Sequence, residues 1–234
     1  MDLSIFKNIH KGKRGFLLAS GPSLSYTNLH LILNDDIIFS VGLAFKANIS
    51  YIDHHFVGDM NIVNQFKDDF MTLKIANLFV SQGIYDSKIL KKRPLYYFRG
   101  HGERKFHRDV TKRIYGGGTA TFLGMQFAYY MGIQELYLIG LDHSWNLNNS
   151  EKMGKFTKGG NEILKIKTKD TNHFSEDYFK KGTIWHTPDI NKMEESYLMA
   201  RKTYEEDNRI LLNATLKTEL SEDIIERVDY YSLF

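Results

Sequence analysis

The stretch Gly15-Phe-Leu-Leu-Ala-Ser-Gly-Pro-Ser-Leu24 joins a short apolar run to a turn of small residues. The apolar run predicts a strand over Phe16–Ala19 that is buried on both faces. Gly21 gives the backbone freedom, Pro22 suits an early helical position, and Ser23 offers a hydroxyl group. Free N–H groups at such a helix start favour an anion. The alternative is a plain strand-to-helix turn, because neither G-x-G-x-x-G nor G-x-x-x-x-G-K-[ST] occurs here.

A second small-residue stretch, Gly116-Gly-Gly-Thr-Ala-Thr121, precedes an apolar helix and then the run Leu136-Tyr-Leu-Ile-Gly-Leu-Asp-His143. Three glycines in a row indicate that something must approach the backbone closely, and Gly118 is therefore a ligand-site candidate. Thr119 could bind phosphate or only cap the helix, and both alternatives stay open. Two loops of this kind predict a nucleotide-type ligand that lies across a parallel sheet.

Short apolar runs alternate with helical patterns along the chain. The helices that we predict are Thr119–Met131 and a second one that Asp189 caps. This alternation predicts a doubly wound, mostly parallel α/β sheet of the Rossmann-like kind, in a single nucleotide-binding domain over residues 1–234. The predicted strands are Phe16–Ala19, Ile37–Val41, Phe56–Val57 with its neighbours, Leu73–Ile75, Leu95–Phe98, Leu136–Ile139 and Ile210–Leu212.

Residues 145–186 interrupt this alternation before the last helix and strand. The segment is polar, rich in Lys, Asn and Gly, and has little periodicity. Long loops in compact domains are usually functional or mobile. We interpret the segment as a lid or an acceptor-binding insert, and the alternative is a disordered surface excursion.

Composition excludes several classes of protein. Lys and Arg number 31 and Asp and Glu 28, so a net charge of +3 gives no case for nucleic acid as a partner. The longest apolar stretch is far shorter than the ~20 residues of a membrane span, and the N-terminal residues lack the features of a signal peptide. The chain has no Cys, which excludes disulfides and thiolate metal sites and fits a cytoplasmic protein.

Polar residues follow several of the predicted strands directly. Asp142 and His143 come after the strand that ends at Ile139, where α/β sheets place their ligands, and Asp59 follows the third strand. Asp142 could bind a sugar hydroxyl, orient His143 or hold a divalent ion, or it could satisfy N–H groups of its own loop. His173 and His186 lie in the second half of the insert. His is the usual general base near neutral pH, and His186 stands just before a helix start, where it could also act as a cap.

The combined motifs resemble the family called domain of unknown function 115, whose named type is the archaeal 6-hydroxymethylpterin diphosphokinase. They are also similar to the bacterial sialyltransferases of glycosyltransferase family 42. The resemblance spans roughly residues 15 to 215. The stretches that carry it are Ser20–Leu24, Gly118–Thr121, Ala128–Gly132, Tyr137–His143 and Leu212–Thr215.

This resemblance implies an inverting glycosyltransferase that moves a sugar from a nucleotide-activated donor, with a CMP-sugar favoured, to a surface-glycan acceptor. His186 matches the general base that deprotonates the acceptor, and no cofactor or metal is required. The resemblance also suggests a homo-oligomer. The residues expected at the nucleotide and donor site are Ser20, Gly21, Pro22, Ser23, Gly42, Asp59, Gly118, Thr119, Asp142, His143, Asn213 and Thr215.

This sequence departs from the sialyltransferase pattern at several places. Ser20, Gly42 and Asp59 stand where that family has Asn, and no tyrosine after Asp142 matches those that grip the donor phosphate. Two alternatives therefore remain. One is a diphosphokinase of the pterin type that uses ATP and Mg²⁺, with Asp59 and Asp142 as candidate ligands. The other is a nucleotide-binding module without catalysis.

Overall fold

Seven parallel strands form the central sheet of the computed structural model, which describes residues 2–155 and 161–234. Every pairing in this sheet is parallel, and helices cover both faces, which confirms the predicted doubly wound α/β fold. The strands are β1 Arg14–Leu18, β2 Ile37–Val41, β3 His54–Val57, β4 Asn77–Ser81, β5 Tyr96–Phe98, β6 Glu135–Ile139 and, after an insert, β10 Ile210–Asn213.

The order of strands across the sheet is β10-β6-β1-β2-β3-β4-β5. The chain therefore runs outward from β1 on one side through β2 to β5, and on the other side through β6 and β10. The order in which the chain adds strands changes side between β1 and β6. A crevice opens at such a switch point, outside the carboxyl ends of the two strands. The loops after Leu18 and Ile139 meet there.

Two long helices pack on one face of the sheet: α4 Ala120–Tyr130, which Thr119 caps, and α5 Ile190–Glu206, which Asp189 caps, as the sequence predicts. Every residue of α4 from Thr121 to Tyr130 is buried, because the helix lies between the sheet and α5. Shorter helices lie elsewhere in the chain. They are α1 Met60–Gln65, α2 Lys67–Thr72 and α3 Gln82–Ser87, with 3-10 turns at Leu3–Phe6, Pro22–Tyr26, Leu29–Leu31, Ala44–Lys46 and Tyr230–Leu233.

The prediction of a strand over Leu73–Ile75 is wrong. These residues follow the end of α2 and alternate between half-buried and exposed, whereas β4 begins at Asn77. Leu78, Phe79 and Val80 are all buried. A strand inside a parallel sheet is covered on both faces. The continuous apolar run Leu78–Val80 therefore forms the strand, and the shorter, alternating run Leu73–Ile75 does not.

The insert contains a small β-sheet that its polar composition does not predict. Its described parts form a separate three-stranded antiparallel sheet of β7 Ser150–Lys155, β8 Glu162–Ile166 and β9 Ile184–His186. Residues 156–160 of the predicted insert lie outside the described residues. Leu164 and Ile166 of β8 are buried, but Met153 of β7 and Ile184 of β9 are exposed, which explains why the periodicity is weak in the sequence.

No helix within residues 2–155 and 161–234 combines the length and the apolar character needed to cross a bilayer.

Two neighbouring histidines on β3, His54 and His55, are buried in the sheet, and no carboxylate of residues 2–155 or 161–234 bonds to either ring. The pKa of His54 and that of His55 are each lowered from 6.5 to about 3, above all by burial. The His55 Nδ1 atom lies 2.7 Å from the Ser40 hydroxyl oxygen, and its Nε2 is buried with no hydrogen-bond partner among the described residues. Both rings are therefore held neutral in the folded protein.

We expect these histidines to make folding pH-dependent. Below pH ~6.5 the unfolded chain binds a proton that the folded chain refuses, so the free energy of unfolding falls as the pH drops toward ~3. His55→Asn keeps a polar atom near Nδ1 but does not titrate, and should reduce this slope by about 1.4 kcal/mol per pH unit. Urea unfolding at pH 7.5, 6 and 5 measures the slope. The exposed His30→Asn is the control, and equal slopes for both variants would contradict a neutral buried His55.

Candidate functional site

The loops that follow β1 and β6 meet at the crevice between these strands. The Gly21 N–H donates to the Gly140 carbonyl oxygen at 2.8 Å, and the Ala19 N–H donates to the Ile139 carbonyl oxygen at the same distance. A cavity of about 200 Å³ opens above them. It is lined by the loops after β1, β2 and β6, by the first turn of α4, by α5 and by part of the insert. The sheet therefore places a polar cleft at its switch point.

A buried side-chain pair joins the two loops below this cavity. The Asp142 carboxylate accepts hydrogen bonds from the Ser23 N–H at 2.9 Å and from the Ser23 hydroxyl at 2.6 Å. Burial raises the pKa of the Asp142 carboxyl above its ordinary value, while the two bonds from Ser23 oppose that shift. Asp142 thus satisfies polar groups of the loop after β1, and it also lines the cavity.

Gly21 is required by the protein's own packing. A Cβ atom at this position would lie 2.5 Å from the Gly140 carbonyl oxygen and closer still to the Asp142 carboxylate. The following residues form the short 3-10 turn Pro22–Tyr26. Pro22 and Ser23 lie outside the lining of this cavity. The Ser23 N–H already donates to the Asp142 carboxylate, and the expectation that N–H groups of this turn meet the anion of a ligand stays a prediction.

The second glycine-bearing loop leads into α4 from the other side of the cleft. Gly117 and Gly118 have φ values of 61° and 79°, in the left-handed region that favours glycine. Thr119 caps the helix, because its hydroxyl oxygen accepts from the Thr121 N–H at 3.2 Å. The Tyr197 hydroxyl donates to the same oxygen at 3.4 Å, and burial raises the pKa of Tyr197 to about 12. Thr119 therefore both caps α4 and faces the cleft.

A second, larger cavity of about 810 Å³ adjoins the first. Asp59, Gly118, His186 and Lys192 contribute to its lining. The residues that line both cavities are Gly42, Thr119, Ala120, His173 and Tyr178, so the two cavities are direct neighbours.

The predicted site residues of this outer cavity stand on different elements. Asp59 caps α1 by accepting from the Asn61 N–H at 2.8 Å. His186 is the last residue of the short strand β9; its ring is exposed, and its Nδ1 lies 3.2 Å from the Thr187 carbonyl oxygen. Among residues 2–155 and 161–234, no three His, Asp or Glu side chains cluster as metal ligands would.

His143 is buried beside the first cavity with one ring nitrogen satisfied. Its Nε2 lies 3.0 Å from a carboxylate oxygen of Glu194 on α5. Trp145 and Tyr197 pack edge-on against the imidazole. The Nδ1 atom is buried and has no hydrogen-bond partner within the described part of the chain. The residue has a φ of 53°, so the loop turns sharply to place this ring.

Other predicted residues divide between the cavity lining and its support. Ser20 lines the first cavity, and its hydroxyl donates to the Val41 carbonyl oxygen at 3.2 Å. Asn213 and Thr215 are buried below the cleft. The Thr215 hydroxyl accepts from the Leu141 N–H at 2.9 Å, and Asn213 accepts from the Thr215 N–H at 3.1 Å. Both lie outside the lining of either cavity, and the expectation that they close the nucleotide pocket stays a prediction.

Sequence reasoning missed the contribution of the segment Asp170–Tyr178. This part of the insert lies over the loop after β1, where the Phe174 N–H donates to the Ser20 carbonyl oxygen at 3.0 Å. It brings Asn172, His173 and Tyr178 into the lining of the first cavity. The spacing of Asp170 and His173 was the available signal, because a carboxylate three residues before a His can orient its ring.

Comparison with known proteins gives a family and a fold. The family model described as 6-hydroxymethylpterin diphosphokinase MptE-like matches residues 2–148. The Maf glycosyltransferase from Magnetospirillum magneticum AMB-1 is similar in structure, with a TM-score of 0.57 and 14% identity, over 99% of this chain. The match spans only 38% of the length of that protein. At this identity the likeness is one of fold.

Two further structures are similar at lower scores. The sialyltransferase CstII from Campylobacter jejuni, in complex with cytidine-5'-monophosphate, has a TM-score of 0.49 and 12% identity, over 93% of this chain and 85% of that one. An alpha-2,3-sialyltransferase from Campylobacter jejuni in apo form has a TM-score of 0.47 and 14% identity, over 93% and 80%. No curated protein matches the chain in sequence.

The contact between the two loops gives a test of the site's foundation. Gly21→Ala should lower the free energy of unfolding by about 1–3 kcal/mol, because the added methyl group overlaps the Gly140 carbonyl and the Asp142 carboxylate. Urea unfolding measures the loss. Gly83→Ala is the matched control, since a Cβ atom there has no neighbour within 4 Å. If both variants are as stable as the parent protein, the loops do not approach as described.

Proposed function

This chain belongs to the 6-hydroxymethylpterin diphosphokinase MptE-like family, and we propose that it is an inverting glycosyltransferase. In this proposal it transfers a sugar from a nucleotide-activated donor, a CMP-sugar by preference, to a hydroxyl group of a surface-glycan acceptor, in the cytoplasm. One observation carries the proposal: two cavities of unequal size adjoin at the switch point of a doubly wound sheet. Such a cleft suits an enzyme that must hold two substrates side by side.

The first cavity is the proposed place of the nucleotide end of the donor. It lies outside the carboxyl ends of β1 and β6, where open α/β sheets bind nucleotides. Ser20, Thr119 and His143 offer hydroxyl and imidazole groups there. The Maf protein, which has a similar fold, is a glycosyltransferase, and this supports sugar transfer as the reaction.

The larger cavity is the proposed place of the sugar and the acceptor. His186 lines it from the insert and is our candidate for the base that takes the proton of the acceptor hydroxyl. The acceptor oxygen then attacks the anomeric carbon while the bond to the donor phosphate breaks, and the nucleotide leaves with the bonding electrons. Inversion follows, because attack and departure take place on opposite faces of the sugar.

The family description makes a diphosphokinase the second candidate. That reaction needs Mg²⁺ between phosphates, held by one or two carboxylates. The two candidate ligands do not fit a shared ion: Asp59 lines the outer cavity, whereas Asp142 lines the inner one and receives two hydrogen bonds from Ser23. We therefore favour the glycosyltransferase, for which no metal is needed.

A nucleotide panel tests the choice between the two enzymes. CMP, CDP, UDP, GDP and ATP are each added with and without Mg²⁺, and the melting temperature is recorded. We expect CMP to stabilise the protein without metal, because a ligand that binds only the folded state raises its stability. Stabilisation by ATP only in the presence of Mg²⁺ would replace our proposal with the diphosphokinase.

His186→Ala tests the catalytic assignment. The variant should lose transfer by about 10²–10⁴-fold, the usual contribution of a general base, while CMP binding persists because the ring lies in the outer cavity. Transfer from CMP-sialic acid to an array of glycans measures the first quantity and calorimetry the second. Ile184→Ala, an exposed change on the same strand, should leave both unchanged. Transfer at the parent rate by His186→Ala would remove the assignment.

A further inference from the structure

A carboxylate and an imidazole form a pair where the two cavities join. The Asp170 Oδ2 atom lies 2.7 Å from the His173 Nδ1 atom. The Asp170 side chain is fully buried, and it also accepts hydrogen bonds from the N–H groups of Asn172 at 2.8 Å and Phe179 at 3.2 Å. Because an ionised carboxylate only accepts, His173 carries a proton on Nδ1. Nε2 is then the nitrogen left for a ligand.

The ring of His173 is held by Asp170 at its edge and by Tyr178 on its face. Tyr178 stacks on it with ring centroids 3.7 Å apart and planes 6° from parallel. The Tyr178 hydroxyl in turn contacts the Ser20 hydroxyl below Gly42, where a Cβ atom would lie 2.6 Å from the tyrosine oxygen. His173 therefore cannot turn away from the cleft without losing its contact with Asp170 and its stacking on Tyr178.

The remaining nitrogen has the position that a reacting group requires. The His173 side chain is 21% exposed and lines both cavities. Nε2 makes no hydrogen bond with any residue in the described ranges. His186, by contrast, lines only the outer cavity, and His143 only the inner one. Of these three histidines, His173 is the one that stands at the boundary between the two cavities.

We propose that the protonated Nε2 of His173 binds the phosphate group that links the nucleotide to the sugar, and that Asp170 and Tyr178 hold the ring for this contact. The inference rests on the proposed function, because it gives the donor phosphate a place at the junction of the two cavities. A charge-assisted hydrogen bond from imidazolium to a phosphate oxygen is stronger than a neutral one. The Asp170 carboxylate lies 2.7 Å from Nδ1 on the other edge of the ring, where it complements an imidazolium that donates from Nε2.

The chemical role follows from the direction of electron flow. When the acceptor oxygen bonds to the anomeric carbon, the bond between that carbon and the phosphate oxygen breaks, and the electron pair stays on the phosphate. His173 stabilises this new negative charge through its N–H. The acceptor proton goes to the base on the outer side. The two histidines thus act on opposite ends of one displacement, and no further reactant is required.

Two variants at one position separate this role from a structural one. His173→Asn keeps a donor that can reach Asp170 but has no group at the place of Nε2. His173→Gln puts a neutral amide near the place of Nε2 but loses the bond to Asp170. If His173 only supports the insert, Asn should be tolerated and Gln should not. If it binds phosphate, the order is reversed.

The experiment compares CMP with cytidine, which lacks the phosphate, by calorimetry. We expect His173→Asn to weaken CMP binding by about 10- to 100-fold, as the loss of a hydrogen bond to a charged group does, while cytidine binding is unchanged. His173→Gln should fall between this variant and the parent protein. His30→Gln, an exposed change outside the lining of both cavities, is the control and should bind both ligands as the parent does.

The other results overturn the inference. CMP binding at the parent level in His173→Asn removes the phosphate contact, and so does an equal loss of CMP and cytidine with a lowered melting temperature. If the parent protein binds no nucleotide, the proposed function fails first. In that case the binding of inorganic pyrophosphate, measured by phosphorus NMR, tests whether His173 binds phosphate. Binding that His173→Asn abolishes supports the phosphate site, and any other result contradicts it.

Discussion

The close approach of two loops at the carboxyl ends of β1 and β6 is the constraint on which the site depends. Asp142 accepts both the N–H and the hydroxyl of Ser23, and Gly21 leaves the space that this pairing needs. A buried polar pair of this kind is costly unless both partners are satisfied. Because it is satisfied, the loops stay together and the cavity above them keeps its shape.

The sequence could predict the fold because the decisive elements are strongly patterned. Continuous apolar runs such as Phe16–Leu18 are typical of strands that a parallel sheet buries on both faces, and caps at Thr119 and Asp189 mark where the long helices begin. The error at Leu73–Ile75 came from a second apolar run only a few residues away, and burial on both faces decides between such neighbours. The small sheet of the insert was missed because apolar side chains such as Met153 and Ile184 are exposed in it, so its strands lack a regular alternation.

The site was harder to predict, because its residues acquire their roles from partners far along the chain. Ser23 and Asp142 are 119 positions apart, and nothing in either motif shows that each satisfies the other. Glycines at such turns suggested a ligand, yet Gly21 is needed because the Asp142 carboxylate of the same chain leaves no space for a Cβ atom. Thr215 supports the Leu141 N–H in the same way. Long-range hydrogen bonds therefore give several of the predicted site residues a structural role in holding the cleft, which the sequence alone does not show.

The insert docks on the loops that surround the inner cavity. The Phe174 N–H reaches the Ser20 carbonyl oxygen, and Tyr178 fits over Gly42, so the segment docks on the loops that the Ser23–Asp142 pair holds in place. A ring stacked on Tyr178 and bound to a buried carboxylate has little freedom left to lose when a ligand arrives. Such preorganisation lowers the entropic cost of binding. The sheet thus provides the inner cavity, and the docked insert supplies the rigid imidazole at its mouth, where donor and acceptor would meet.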